Sequence, residues 1–286
     1  MKAFCCLLVS VVAAAADSNT MVGRFTQWDT AARTATFTPA PAVPPPGATG
    51  EAVTVSLLPG DLEISWAKPV RCTLVKRDGK TSAEGIVSAE PEELRQEQQV
   101  VDDLRRDTFE RGRIVMRGAN DLMPMMALWD QDGRFRLKKD FLGAPLAVNF
   151  VFTSCQNARM CPASTHAMRK LADELAKRPS LAHVRLLTIT FDPEVDTPGV
   201  LRTYAQGYGV DFRRHSFLTG REAHIKDLMR HYGILTTKSD GTILHNAALV
   251  IVSPEGRIVQ RREGAVFDAE DVAEYFVRLA EPTKPR

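Results

Sequence analysis

The 286-residue chain lacks an excess of charge of either sign: 37 Lys and Arg stand against 35 Asp and Glu, a net charge of +2. No global field therefore recruits nucleic acid or an anionic membrane, and function must come from a local site. No internal run approaches the ~20 apolar residues of a permanent transmembrane helix. Cysteine is scarce, with five in the whole sequence, too few for a disulfide scaffold. What remains is an ordinary globular composition, 44% hydrophobic, 25% charged and 7% aromatic. The length suits two ordinary domains better than one.

The N-terminus carries a short positive start at Lys2, an apolar run from Ala3 to Val12 and four alanines, Ala13 to Ala16, ahead of Asp17. This is the three-part plan of a secretory signal peptide over residues 1–16 and predicts an exported, periplasmic protein; an uncleaved membrane anchor is the alternative. Cys5, preceded by Lys2, Ala3 and Phe4, does not fit a lipobox. Setting Cys5 and Cys6 aside leaves Cys72, Cys155 and Cys161, a pair and a spare. Cys72 lies in a strand-like run and reads as a small buried hydrophobe.

Residues 17–89 read as a small all-β, barrel-like domain. The β-prone runs Thr34 to Thr38, Ala52 to Leu57, Leu62 to Trp66 and Arg71 to Val75 are separated by turn signals, among them the Pro-rich 39–50 stretch and Asp78-Gly79. Residues 90–117 are densely charged with both signs, and Leu94, Val101, Leu104 and Phe109 fall at helical spacing, predicting a solvated linker helix. From residue 118 to 286 the pattern is α/β. The apolar run Leu146 to Phe152 is a central buried strand; helices are expected at 163–177, 197–207, 221–231 and 269–279, and further strands at 183–190, 216–218, 247–252 and 257–261. A mixed sheet flanked by helices follows.

Cys155 falls at the carboxyl end of the central strand, the edge where open α/β sheets place their ligands, and Pro162 suits the first turn of the next helix. Cys161 then sits at a helix N-terminus, where the dipole favours thiolate, the form needed for soft-metal ligation and for thiol exchange. A plain structural disulfide is the alternative. His245 stands just before an apolar strand; His166, His183, His215, His224 and His231 have no ligand partner at binding spacing and are expected at the surface. In Leu122-Met123-Pro124-Met125-Met126, Met125 or Met126 is expected in the core, and residues 21–88 carry no histidine, so no metal is expected there.

Three stretches together, Phe150-Val151-Phe152-Thr153-Ser154-Cys155 through Cys161-Pro162, Asp192-Pro193-Glu194-Val195-Asp196-Thr197-Pro198, and His245 ahead of Pro254-Glu255-Gly256, resemble the Sco/SenC family of copper-binding thioredoxin-like proteins over about residues 118–280. The resemblance implies a thioredoxin-like fold, copper as the bound metal, Cys155, Cys161 and His245 as ligands, and Asp192 as a supporting residue. It also implies delivery of copper to the binuclear copper centre of cytochrome c oxidase, on its copper-bearing subunit, with an exported thioredoxin-like reductant as second partner and membrane contact only through the partner. The sequence departs from the family in its cysteine spacing: five residues intervene where three are usual, and Gln156 replaces the proline that follows the first cysteine. Two thiolates and an imidazole remain a sensible donor set for Cu(I). A thiol-disulfide oxidoreductase using Cys155 and Cys161 as its redox pair competes with the chaperone reading, and a redox-sensing or binding module is a third. His245 separates them, since copper needs it and dithiol exchange does not.

Overall fold

The computed structural model describes residues 18–29, 31–39, 52–56, 69–88, 92–239 and 242–280. The expected signal peptide and the Leu62 to Trp66 run lie outside them.

The first part is a closed five-stranded barrel in the order β1 (Ser18–Asp29), β2 (Thr34–Pro39), β3 (Val53–Ser56), β5 (Lys80–Ser88) and β4 (Val70–Arg77). Phe25, Phe37, Val55, Val70, Cys72 and Ala83 fill it. Strands β1 and β5 escape a hydrophobic-alternation reading for physical reasons. β5 is mostly polar, and in β1 the consecutive residues Gly23, Arg24, Phe25 and Thr26 are all buried, because one face lines the barrel and the other meets the rest of the molecule. Arg24 stacks over the Trp129 ring at 4.0 Å.

Helix α1 (Glu92–Arg111) follows. The mixed charge run predicts a solvated helix, and most of it is exposed, yet one face is covered: Glu97, Val101, Leu104 and Thr108 are buried while Phe109 points into solvent. That stripe packs on α4 (Glu222–His231). Polar residues bound the stripe at both ends, Glu97 paired with Arg221 at 2.9 Å and Thr108 bonded to His231 at 2.9 Å.

The remaining chain forms a seven-stranded sheet in the order β14 (Ile258–Glu263), β13 (Ala248–Val252), β8 (Leu146–Val151), β9 (Arg185–Thr190), β10 (His215–Thr219), β6 (Ala127–Asp130), β7 (Phe135–Leu137). The central β8, β9 and β10 run parallel and the flanking strands antiparallel. Helices α2 (Cys161–Ala176), α3 (Pro198–Gly207) and α5 (Ala269–Ala280) complete the α/β layers with α4, and a separate hairpin, β11 (Thr236–Ser239) and β12 (Thr242–His245), projects from the sheet. All six residues of β8 are buried, as a central strand covered on both faces requires. Met123 and Met126 are core residues, whereas Met125 is partly exposed.

The histidine expectation needs correcting. His166 and His183 are exposed, but His215, His224 and His231 are buried. Each is retained by a hydrogen bond that its spacing in sequence conceals: His215 Nε2 lies 2.7 Å from Thr188 Oγ1, His224 Nε2 accepts the Ala127 N–H at 3.1 Å, and His231 Nδ1 accepts from Arg117 Nε at 3.0 Å.

Candidate metal centre

The parallel strands aim their carboxyl ends at one edge of the sheet, and the predicted residues gather there. Strand β8 ends at Val151, the chain leaves through Phe152 and Thr153, and Cys155 to Met160 form irregular turns before α2 begins at Cys161. Asn157 organises this loop, its side chain accepting the Arg159 N–H at 3.0 Å and its carbonyl the Met160 N–H at 2.9 Å. Pro162 occupies the first turn of α2, where its missing N–H costs nothing. The cysteine at the helix start is therefore locked, and the other rides a five-residue turn.

His245 arrives from the opposite side at the end of β12. Its Nδ1 lies 2.7 Å from the Asn246 carbonyl, which can only accept, so Nδ1 carries the proton and Nε2 presents its lone pair to Cys161 Sγ at 3.5 Å. The ring packs on Phe191 and edge-on to Phe152. Asn246 pins the hairpin base, accepting the Leu235 N–H at 2.8 Å and donating to the Gly233 carbonyl at 3.0 Å. The ligand atoms of Cys155, Cys161 and His245 all lie within 4.8 Å of one another. Two bonds of about 2.3 and 2.0 Å at a tetrahedral-like angle span about 3.5 Å, so the sulfur and nitrogen are already at the separation one ion needs.

The electrostatics depart from expectation. Cys161 was expected as a helix-start thiolate, but it is 1% exposed, and burial pushes its thiol well above the ordinary range despite the Phe152 N–H that points at its sulfur. The helix dipole is outweighed by loss of water. Burial likewise pushes His245 down, keeping its imidazole neutral and available as a donor. Cys72 is buried in the barrel far upstream, its thiol pushed up to about 11 by burial.

Asp192, expected in support, stays outside the cluster: its side chain lines a neighbouring cavity with Glu194, Lys238 and Ile243. The carboxylate that braces the cysteine loop is Asp196, four residues on. It is fully buried and accepts the Thr153 hydroxyl at 2.5 Å, the Thr190 hydroxyl at 2.5 Å and the Thr153 N–H at 3.1 Å. Burial raises its pKa and these three donors pull it back. Both aspartates stand in the same seven-residue motif, and two threonines at strand ends were the one signal for choosing between them.

The SCO1/SenC family model matches residues 115–281. A mitochondrial SCO2 homolog of Bos taurus is 32% identical over 137 residues, 46% of this chain and 49% of that protein; the chain thus spans about half the length of this curated relative. The crystal structure of a SCO1/SenC family lipoprotein from Bacillus anthracis str. Ames aligns with a TM-score of 0.52 at 26% identity, covering 58% of this chain and 99% of that one. BsSco, described as a member of the Sco family of cytochrome c oxidase assembly proteins, aligns with a TM-score of 0.50 at 23% identity over 57% of this chain and 96% of its own, a likeness of fold.

Proposed function

The chain belongs to the SCO1/SenC family, and we propose that it is an exported copper chaperone whose cargo is held by Cys155, Cys161 and His245 and passed to the binuclear copper centre of a cytochrome c oxidase. The observation that carries this reading is the convergence within 4.8 Å of two sulfurs, from a loop and the helix start that follows it, and one imidazole nitrogen from a hairpin 84 residues further on. Two soft sulfurs select Cu(I), and an imidazole accepts either oxidation state. The description of BsSco as an oxidase assembly protein supports the choice of client. Among the described residues no helix is long and apolar enough to cross a membrane.

The oxidoreductase reading is the weaker one. Dithiol exchange needs only the two sulfurs, whereas the imidazole nitrogen converges with both of them within 4.8 Å.

The test is copper content of the reduced full chain after Cu(I) loading and removal of free metal. About one copper per chain is expected, from the single soft donor set. Cys155→Ser and Cys161→Ser should lose it, and His245→Ala should weaken Cu(II) binding more than Cu(I), which two thiolates hold alone. Oxidising the pair should block loading; copper bound at full stoichiometry with the disulfide intact would remove the thiolates as ligands.

A further inference from the structure

Beside the candidate metal centre lies a cavity of about 260 Å³, and Phe191 is the wall they share: one side of its ring packs on His245 while the residue also lines the cavity. Pro193, Ile225, Met229 and Ile243 supply the apolar part of its lining. Five charged residues line it. Two of the acids are already matched, Glu194 to Lys238 at 2.7 Å and Glu222 to Lys226 at 2.7 Å. The fifth, Asp192, has no ion pair and no side-chain hydrogen bond among the described residues. Partial burial makes its charge harder to hold, Lys238, itself paired with Glu194, offsets part of this, and Glu194 and Glu222 add to it. A carboxylate in that position is stabilised by a cation brought from outside.

We propose that this cavity is the anchor point of the docking face, taking one basic side chain, arginine or lysine, of the protein that comes to His245 and the cysteine pair. The volume fits a single long side chain, whose methylene stem would lie along Met229, Ile225 and Ile243 while its charged head meets Asp192. The surplus of one negative charge among three acids and two lysines gives the complementarity, and the shared Phe191 wall makes the surface continuous with the site. This rests on the chaperone reading for its partner, a copper-accepting protein, but not for its chemistry. The neighbouring hairpin supplies both His245 and the cavity residues Thr236, Lys238 and Ile243, so a side chain seated there would also bear on the element that carries the imidazole.

The test uses the reduced, copper-free full chain with labelled methyl groups on Met and Ile, titrated with N-acetyl-arginine amide and with its citrulline counterpart, which has the same shape without the charge. The arginine probe should shift the Met229, Ile225 and Ile243 methyls, and bind about fivefold more tightly than citrulline, the factor of a partly exposed charge pair. In Asp192→Asn, nearly isosteric and half-exposed, the two probes should become equal. Equal binding of the two probes to the unaltered chain, or shifts confined to other methyls, would overturn the proposal. Because no copper is present, such a failure is separate from a failure of copper loading, which is read by metal analysis alone.

Discussion

Cys155 and Cys161 are six positions apart and occupy different solvents. Cys155 is half-buried on the loop, whereas Cys161 is 1% exposed with its thiol pushed up by burial. A neutral alkylating reagent should therefore modify Cys155 of the reduced protein at least about tenfold faster, a difference of ~1.4 kcal/mol in barrier; equal rates by mass spectrometry would mean the helix start opens freely. The three buried histidines act on stability. Burial drives His215 down to about 3 and His224 and His231 down to about 4. The unfolded chain takes up protons near pH 6.5 that the folded chain refuses, so their contribution is complete above pH 6.5 and is lost as pH falls toward the folded values. Each can remove up to about 1.4 kcal/mol per pH unit. Asp130 and Asp196, raised by burial, act in the opposite direction, so the histidine share is read by difference. The urea midpoint should drop less between pH 7.5 and 5.5 in His224→Gln than in the unaltered chain, and equal drops would contradict the burial of that ring.

The strand-to-loop junction after β8 shows how an element is held in place by a residue remote from it. Asp196, at the entry to α3, fixes both the N–H and the hydroxyl of Thr153, and Thr190 at the end of β9 completes the set. Asp196→Ala leaves those donors buried without an acceptor, and we expect a loss of about 2–4 kcal/mol in urea unfolding with weakened copper retention. Asp196→Asn, which keeps an acceptor, should recover part of both. An unchanged midpoint in Asp196→Ala would show that water replaces the carboxylate. The same junction marks the limit of what sequence reveals. The β8 run, the cysteine pair after it and Pro162 were legible because each is a local pattern: continuous burial, a strand end, a helix first turn. The ends of the expected α/β elements fall within about two residues of their observed positions, but β6, β7 and the β11–β12 hairpin that carries His245 were not expected. Asp196 was not separated from Asp192, because only the fold brings Thr153 and Thr190 to one of them. The dipole argument for Cys161 failed for a related reason: position at a helix start is local, but burial in the core of the sheet domain is tertiary. Strand β1 escaped because burial on both faces erases the period of two.

At the scale of the molecule, the barrel is seated on the sheet domain rather than tethered to it. Arg24 of β1 stacks on Trp129 of β6, and β1 comes so close that two positions have no room for a side chain. A Cβ at Gly199, in the first turn of α3, would run into the Thr26 carbonyl and come within 2.9 Å of Gln27 Cβ; one at Gly133, where φ is +72°, would run into the Thr26 side chain. Gly199 lies three residues after Asp196, so the surface that receives the barrel is the start of the helix whose leading loop braces Thr153. Seating and site geometry are thereby linked through one short segment. Gly199→Val should push β1 away without touching any of the three proposed ligands. In the unaltered chain, barrel and sheet should unfold in one transition, since the interface is close-packed and carries a buried cation–ring contact. In Gly199→Val the transition should split in two, and the Trp129 emission, isolated by difference against Trp129→Phe, should shift to the red as water reaches the ring. Two transitions already present in the unaltered chain, or one transition with unshifted Trp129 emission in Gly199→Val, would show that the barrel is not held by this interface.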